Sequence, residues 1–351
     1  MAPVTEDAAA DVASDAVASG AVASDAEQVE PAERVEPAEQ PAQGSQYDLA
    51  WRRFRRDRVG MASLTVIVLV IVVAVGAPLI VRLFGLDPYT FHSELIGDGA
   101  LPKDGLWHSG MSASHPLGIE PSTGRDILAR LLYGARVSLL ITTLGTALTM
   151  VLGVLIGMIA GYAGGWTDAI FGRLMDLILS VPQLLLLLTL NPIAVQLLGD
   201  KFGIGGNGAR IVFIVSMFGL LGWPYIARIV RGQVLSLRER EFIEASRVSG
   251  SGPWRILRHE LLPNLWVPII VYGTLLFPTY IATEAALSFL GVGVIEPTPT
   301  WGKMLAASVT FYQVDPLYLF IPGGALFIVV LAFNLLGDSI RDALDPRSAH
   351  S

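Results

Sequence analysis

Ionisable side chains crowd into one short segment of this 351-residue chain, although apolar runs lie on both sides of it. Residues 244–264 read EASRVSGSGPWRILRHELLPN. A charge at the centre of a bilayer costs about 3 kcal/mol on insertion scales, so this segment is predicted to lie outside the hydrocarbon. We interpret it as a docking surface that the rest of the chain holds and moves. Its ionisable residues are Glu244, Arg247, Arg255, Arg258, His259 and Glu260.

Catalytic chemistry finds little support in the same segment. His259-Glu260 begins the zinc-protease motif H-E-x-x-H, but Pro263 stands where the second histidine belongs. The chain contains no G-x-x-x-x-G-K-[ST] nucleotide-binding motif. It also contains no cysteine, which excludes disulfides, thiolate metal sites and cysteine nucleophiles. We therefore predict a non-catalytic protein with no catalytic, cofactor-binding or metal-binding residues of its own.

The composition is that of a membrane protein. Hydrophobic residues make up 52% of the chain and charged residues only 16%, whereas soluble domains carry about 25% charged residues. Several nearly uncharged runs reach the roughly 20 residues that span a bilayer. We predict an all-α polytopic membrane protein with six transmembrane helices, contained in residues 61–347. The predicted spans cover residues 61–84, 137–163, 170–190, 209–230, 265–290 and 317–336.

The two ends of the chain differ from this membrane body. Residues 1–46 lack Phe, Trp, Leu and Ile and are rich in Asp and Glu, so they are predicted to form a disordered acidic cytoplasmic tail. Residues 47–60 hold five arginines directly before the first span. The positive-inside rule then places the N-terminus in the cytoplasm, and six spans return the C-terminal tail, residues 348–351, to the same side. The same arginines are compatible with contact to anionic headgroups.

The loops follow from this topology. Residues 85–132 are predicted to form an external loop and residues 232–263 a cytoplasmic one, which we call the coupling loop. Within it, residues 238–248 fit an amphipathic helix, Gly250 and Gly252 break it, and Pro253 is placed to begin a second helix that Pro263 ends. Two short helices joined by glycine form a knob. Composition favours equally a knob that enters a cleft on another protein and a hairpin that lies on lipid.

Small and acidic residues inside the spans add two hypotheses. Gly153, Gly157, Gly161 and Gly165 recur at a spacing of four, which lets helix backbones approach closely in a membrane. Intramembrane acids are functional candidates by default. Structural pairing with a neighbouring helix is the stronger alternative for both of them, and Arg228 and Arg231 are interpreted as interfacial anchors. The two acids are Asp176 and Glu284.

The coupling loop resembles the EAA loop of bacterial ABC importer permeases. The resemblance lies in Glu244-Ala245-Ser246, in Gly250 six residues after the glutamate, in Ile256, and in Leu262-Pro263, with Ser246 in place of the family's second alanine. Three further stretches are similar to the C-type permease subunit of peptide and nickel importers, so that the resemblance covers about residues 50–347. They are EAALSFLG with PTPTWG at 284–302, NLLGD with RDALDPR at 334–347, and HPLG with GRDI and GARVSL at 115–139.

This resemblance implies a type I ABC importer permease fold and a set of partners. A homologous B-type permease and two ATP-binding subunits, which bind ATP and magnesium, would assemble with the chain in the inner membrane of a bacterium. An external binding protein would deliver the substrate, lipid would surround the complex, and no nucleic acid would be involved. The residues that couple to the ATP-binding subunit would be Glu244, Ala245, Ser246, Gly250, Ile256, Leu262 and Pro263.

Dipeptides or oligopeptides are the substrates that the resemblance favours. Nickel chelates or other small solutes stay open, as does the different class of an ATP-independent channel or carrier. One departure stands in the external loop, where Ile119-Glu120 replaces the Thr-Asp that usually follows His-Pro-Leu-Gly in this family. We expect this departure to alter delivery by the binding protein in detail.

Overall fold

The computed structural model describes residues 46–105 and 109–344, and it is helical throughout its core. The predicted acidic tail therefore lies outside the described residues except for Gln46, and so does the predicted C-terminal tail. In chain order the helices are α1 Gln46–Arg56, α2 Arg58–Leu83, α3 Ile127–Ala163, α4 Gly165–Leu179, α5 Gln183–Phe202, α6 Gly206–Leu237, α7 Glu241–Val248, α8 Pro253–Arg255, α9 Leu262–Asn264, α10 Trp266–Phe289, α11 Trp301–Ser308 and α12 Pro316–Leu344.

Six of the described helices are long and apolar enough to cross a membrane, namely α2, α3, α5, α6, α10 and α12. This count agrees with the six predicted spans. We call the end of the bundle that carries the coupling loop the loop end. The other end, where α3 and α6 begin, is the far end.

The third span differs from its prediction. We expected one helix over residues 170–190 and a glycine-rich loop from Asn191 to Gly208. Instead the chain breaks after Leu179, because Pro182 offers no N–H and disfavours helical backbone at the residue before it. The apolar run then continues as α5 until Gly203, whose φ of +67° ends the helix.

Close contact between α3 and α6 forms the centre of the bundle. Gly153 faces Ile226, Gly157 faces Ala227 and Val230, and Gly161 faces Val234. These contacts keep one register over several turns, so the two helices run parallel. A methyl group added to Gly157 would lie 2.7 Å from the Ala227 carbonyl oxygen, so the backbones meet without room for a side chain.

The fourth glycine of the predicted series does not take part in this contact. Gly165 follows the end of α3, has a φ of +53°, and would meet nothing within 4 Å if it carried a Cβ. Its backbone conformation is left-handed, so it serves the tight turn between α3 and α4. The spacing of four between the glycines did not show that α3 ends before Gly165.

The first and last spans are joined at the loop end. The Asp57 carboxylate accepts the N–H groups of Val59 and Gly60 at 2.9 and 3.1 Å and so caps α2. A hydrogen bond with Ser339 of α12, together with these N–H groups, lowers the pKa of Asp57 against the opposing effect of partial burial. Phe54 of α1 is buried beside them against α12. The segment α1 is therefore fixed to the bundle.

A buried ion-pair network joins the loops at the far end. The Glu120 carboxylate, 1% exposed, contacts Arg125 Nε at 2.8 Å and Arg130 Nε at 2.6 Å, and it accepts the Tyr318 hydroxyl at 3.0 Å. Glu296 contacts the same two guanidinium groups at 2.7 and 2.9 Å. Although burial opposes it, the charges of Glu120 and Glu296 raise the pKa of Arg125.

The departure at Ile119-Glu120 lies within this network. Both side chains are buried, Ile119 at 1% exposure like its neighbour. Glu120 also keeps a carboxylate where the family usually has aspartate, and that carboxylate is bonded inside the protein. The expected effect on delivery stays a prediction, but Glu120 has no surface through which it could contact a partner directly.

The helix contact can be tested with one added methyl group. Gly157→Ala is expected to lower the stability of the protein by about 1–3 kcal/mol, because the new Cβ overlaps Ala227 and Val230. Gly172→Ala is the matched control, since its Cβ would meet nothing within 4 Å on α4. Thermal unfolding in detergent measures both. Equal melting temperatures for the two variants would show that the α3–α6 contact does not determine the stability of the protein.

The far-end network gives a second test. Glu120→Gln keeps the shape of the side chain but removes the charge shared by Arg125 and Arg130, and breaking a buried ion pair costs about 3 kcal/mol. Glu94→Gln is the control, because its carboxylate is 66% exposed and its ion-pair partner is the partly exposed His92. Thermal unfolding should separate the two variants clearly. A Glu120→Gln protein as stable as the control would contradict the structural role of the network.

Candidate functional site

The first arm of the coupling loop is α7, which ends in a glycine cap. Gly250 has a φ of +81°, its N–H bonds the Arg247 carbonyl at 2.9 Å, and the Ser251 N–H bonds the Ser246 carbonyl at 3.0 Å. This pair of bonds is a Schellman motif, in which glycine takes the left-handed position after the helix. The requirement for glycine six residues after Glu244 therefore has a backbone cause.

The second arm begins as predicted and ends differently. Pro253 occupies the first residue of α8, with Gly252 before it. We expected Pro263 to end this helix, and that was wrong. A π-helical turn over Ile256–Leu261 widens the backbone, with the Leu262 N–H bonded to the Leu257 carbonyl, and helical conformation continues through Asn264. A wider turn relieves the clash that proline otherwise makes with the preceding turn.

Apolar side chains hold both arms against the bundle. Ile243 of α7 and Ile256 of the second arm are both 0% exposed. They belong to one cluster with Leu257, Leu261 and Leu265, and this cluster packs on the loop ends of α3 and α6. The α3 and α6 members of the cluster are Val154, Met158, Ile226, Val230 and Val234.

Polar contacts reinforce this attachment. The Arg247 guanidinium lies 5.3 Å from the centre of the Tyr162 ring at the end of α3, a cation–π distance. Arg238, just after α6, donates from Nη1 to the Gly161 carbonyl at 3.0 Å. The sequence did not predict either contact, because each joins residues far apart in the chain. They make the coupling loop a continuation of the α3–α6 pair.

The opposite face of the coupling loop is exposed. Glu244, Ala245, Gly250 and Pro263 are exposed, and Ser246 is partly exposed. The structure thus separates the predicted coupling residues, since Ile256 is buried and Leu262 is half-buried. The exposed face also carries large apolar side chains, with Val248 at 85%, Trp254 at 66% and Phe242 at 40% exposure.

The predicted apolar stripe of the first arm is divided in the same way. Within α7 only Ile243 is buried, while Phe242, Ala245 and Val248 face outward. An eight-residue helix offers two turns, so the periodicity of its apolar residues did not reveal which face is covered. The result is a tip that combines the Glu244 carboxylate with exposed apolar groups, a surface suited to protein contact.

Asp176 forms an ion pair at the loop end. Its Oδ1 lies 2.6 Å from Arg228 Nη2, and both side chains are more than half exposed. A second ion pair, which the sequence did not reveal, lies beside the first. In it Arg231 donates to both carboxylate oxygens of Asp168. The two pairs join α4 to α6 beside a polar cavity of about 270 Å³. Arg228 and Arg231 are therefore helix-joining residues, and a functional role for Asp176 stays a prediction.

Glu284 lies inside the bundle near the far end. It is 0% exposed, and it accepts hydroxyl groups from Ser138 of α3 and from Ser288 on its own helix, each at 2.8 Å. The carboxyl group is enclosed and hydrogen-bonded, as buried polar groups require. This geometry favours the structural alternative over a place on an open pathway.

Two family models match the chain. The model described as "Binding-protein-dependent transport system inner membrane component" matches residues 153–350, which include the whole coupling loop. The model described as "N-terminal TM domain of oligopeptide transport permease C" matches residues 45–95, which include α1 and α2. Both arms of the coupling loop and the α3–α6 contact therefore fall largely within matched residues.

Relatives of known name cover most of the chain. The dipeptide transport system permease protein DppC of Alkalihalophilus pseudofirmus is 35% identical over 298 residues, 85% of this chain and 89% of that protein. The oligopeptide transport system permease protein OppC of Escherichia coli K12 is 36% identical over 85% of this chain and 90% of that protein. The glutathione transport system permease protein GsiD of Escherichia coli O6:K15:H31 is 36% identical with 85% and 89% coverage.

A solved structure supports the fold. A chain of the MetNI methionine ABC transporter, in an inward-facing conformation, superposes with a TM-score of 0.50 at 23% identity, covering 62% of this chain and 98% of that chain. This likeness concerns the fold alone, and it agrees with the predicted type I importer permease architecture. The chain is a multi-pass membrane protein that belongs to the permeases of binding-protein-dependent ABC importers, and within them to the C-type subunits.

Proposed function

We propose that this chain is the C-type permease of a bacterial importer that takes up dipeptides or oligopeptides and is driven by ATP hydrolysis. The observation that carries the proposal is the coupling loop, whose exposed tip stands on a base packed into α3 and α6. Peptide cargo is supported by the relatives, which are dipeptide, oligopeptide and glutathione permeases.

The proposed partners are those that membership of this permease family implies. The tip around Glu244 and Gly250 would enter a cleft on one of two ATP-binding subunits, which hold ATP and magnesium and carry out hydrolysis. A homologous B-type permease would complete the pathway, and a binding protein would deliver substrate at the far end. The permease chain itself would remain non-catalytic.

Charge sets the proposed orientation in the membrane. Arginines at positions 52, 53, 55, 56 and 58 lie in or beside α1, at the loop end. By the positive-inside rule this end faces the cytoplasm, where ATP is available. Both termini would then be cytoplasmic, and the far-end network of Glu120 would face outward from the plasma membrane.

The geometry fits a mechanism in which rigid bodies move. Closure of the ATP-binding subunits would displace the exposed tip, and the packed base would transmit that displacement to α3 and α6 without deforming. Alternating access in transporters proceeds largely by such rocking of one bundle against another. The ion pairs of Asp168 and Asp176 would carry α4 along with α6.

Two alternatives remain distinct from this proposal. A permease of the same family could carry nickel chelates or other small solutes, since binding proteins select cargo in such systems. An ATP-independent channel or carrier would need no docking tip, and it would leave the exposed Phe242, Val248 and Trp254 without a purpose.

Docking is tested by two substitutions on the exposed face. The Glu244 side chain has no polar partner within the described residues, so Glu244→Ala breaks no side-chain hydrogen bond or ion pair among them. Gly250→Ala strains the left-handed cap that shapes the tip. Each variant is expected to reduce ATP-dependent uptake of a labelled peptide by reconstituted complexes at least about tenfold, the change that 1.4 kcal/mol of lost docking energy produces.

Matched controls lie in the same loop. Glu239→Ala removes an equally exposed carboxylate outside α7, and Gly252→Ala adds a methyl group where φ is −70° and nothing lies within 4 Å. Both controls should retain uptake. Normal uptake by Glu244→Ala and Gly250→Ala would refute docking, whereas uptake of a nickel chelate in place of peptide by the unaltered complex would refute only the assigned cargo.

A further inference from the structure

The segment α1 is more than a connection to the first span. Phe54 is 6% exposed and packs between α2 and α12, while Trp51, stacked on it at 5.8 Å, remains 53% exposed. Arg52, Arg55 and Arg56 are exposed on the same short helix. The helix therefore has an apolar side fixed to the bundle and a cationic side that is free.

An apolar groove of about 330 Å³ lies beside α1. Its walls come from α1, α2, α10 and α12, of which the last three are long and apolar enough to cross a membrane, and the groove lies toward the loop end of these three helices. Nearly all of the exposed surface within it is apolar. Its lining includes Ala50, Trp51, Phe54, Leu64, Ile270 and Leu336.

Charge surrounds this groove unevenly. Arg52, Arg55, Arg56 and Arg58 form no ion pair within the described residues. A polar cavity of about 410 Å³ also borders Phe54, and its lining includes Arg53, Asp57, Asp338 and Asp342. Asp57 is already bonded to the N-terminus of α2 and to Ser339. The free arginines give this corner an excess of positive charge.

We propose that this corner of the bundle binds one anionic phospholipid. An acyl chain occupies the groove, and the arginines of α1 contact the phosphate. The long arginine side chains reach a headgroup plane while their stems stay against apolar surface. Trp51 suits the boundary between headgroups and acyl chains, where amphipathic rings accumulate. Bound in this way, the lipid would contact α1, α10 and α12 together.

The charge requirement is tested with lipids of matched acyl chains. The full-length chain in neutral detergent is titrated with phosphatidylglycerol or phosphatidylcholine, and native mass spectrometry counts the bound lipid. Each arginine near an anionic headgroup strengthens binding by roughly fivefold. The triple variant Arg52→Gln, Arg55→Gln, Arg56→Gln is therefore expected to weaken phosphatidylglycerol binding on the order of a hundredfold while phosphatidylcholine binding stays low.

The control removes three other exposed arginines at the loop end, by Arg240→Gln, Arg255→Gln and Arg258→Gln. It should retain phosphatidylglycerol as the unaltered chain does. Equal retention of the two lipids by the unaltered chain, or an equal loss in both triple variants, would overturn the proposal.

The groove is tested without changing charge. Ala50→Phe fills the groove and should abolish tight phosphatidylglycerol binding, whereas Ala50→Ser leaves it open and should not. Unchanged melting temperatures of the two variants exclude unfolding as the cause. Undiminished binding by Ala50→Phe would overturn the groove as the acyl site. If phosphatidylglycerol bound only after deletion of residues 1–45, the acidic tail and not lipid would be the partner of these arginines in the full chain. That result would overturn the proposal.

Discussion

Backbone contact between α3 and α6 is the constraint on which the rest of the structure depends. Glycine at 153, 157 and 161 lets the two parallel helices approach until no side chain fits between them. In a bilayer, where apolar burial gives helices little reason to associate, such close packing is a main source of cohesion. The far-end network then joins the far-end loops and α12 to α3, and two ion pairs join α4 to α6. The bundle is therefore built outward from one interface.

The coupling loop is packed against the α3–α6 pair as an extension of it. Its buried residues, Ile243 and Ile256 among them, extend the α3–α6 cluster beyond the spans. The Arg247–Tyr162 contact and the bond from Arg238 to Gly161 tie it to the end of the same glycine series. What remains exposed is a tip whose first arm ends in the Schellman cap at Gly250 and whose second arm contains the π-helical turn. A permease that transmits force needs both properties together.

The sequence predicted much of this architecture, and its failures have identifiable causes. The number of spans, the position of the coupling loop outside them, the glycine break at 250 and the helix start at Pro253 follow from local composition and backbone preference. The break at Pro182 was missed because hydropathy continues through it. The network around Glu120 and the pair of Asp168 with Arg231 join residues distant in the chain, which no local pattern reveals. The division of α7 into buried and exposed residues was missed because two turns carry too little periodicity.

The central claim is that the coupling loop and α3 move as one body, and a distance measurement tests it directly. The chain contains no cysteine, so spin labels can be attached at Leu144→Cys on α3 and Ser249→Cys at the tip, both exposed positions. Pulsed electron–electron double resonance is measured on the assembled transporter, once without nucleotide and once with ATP trapped. The account predicts one narrow distance distribution, unchanged between the two states. A shift of several ångströms between them would show that the loop moves independently of the bundle.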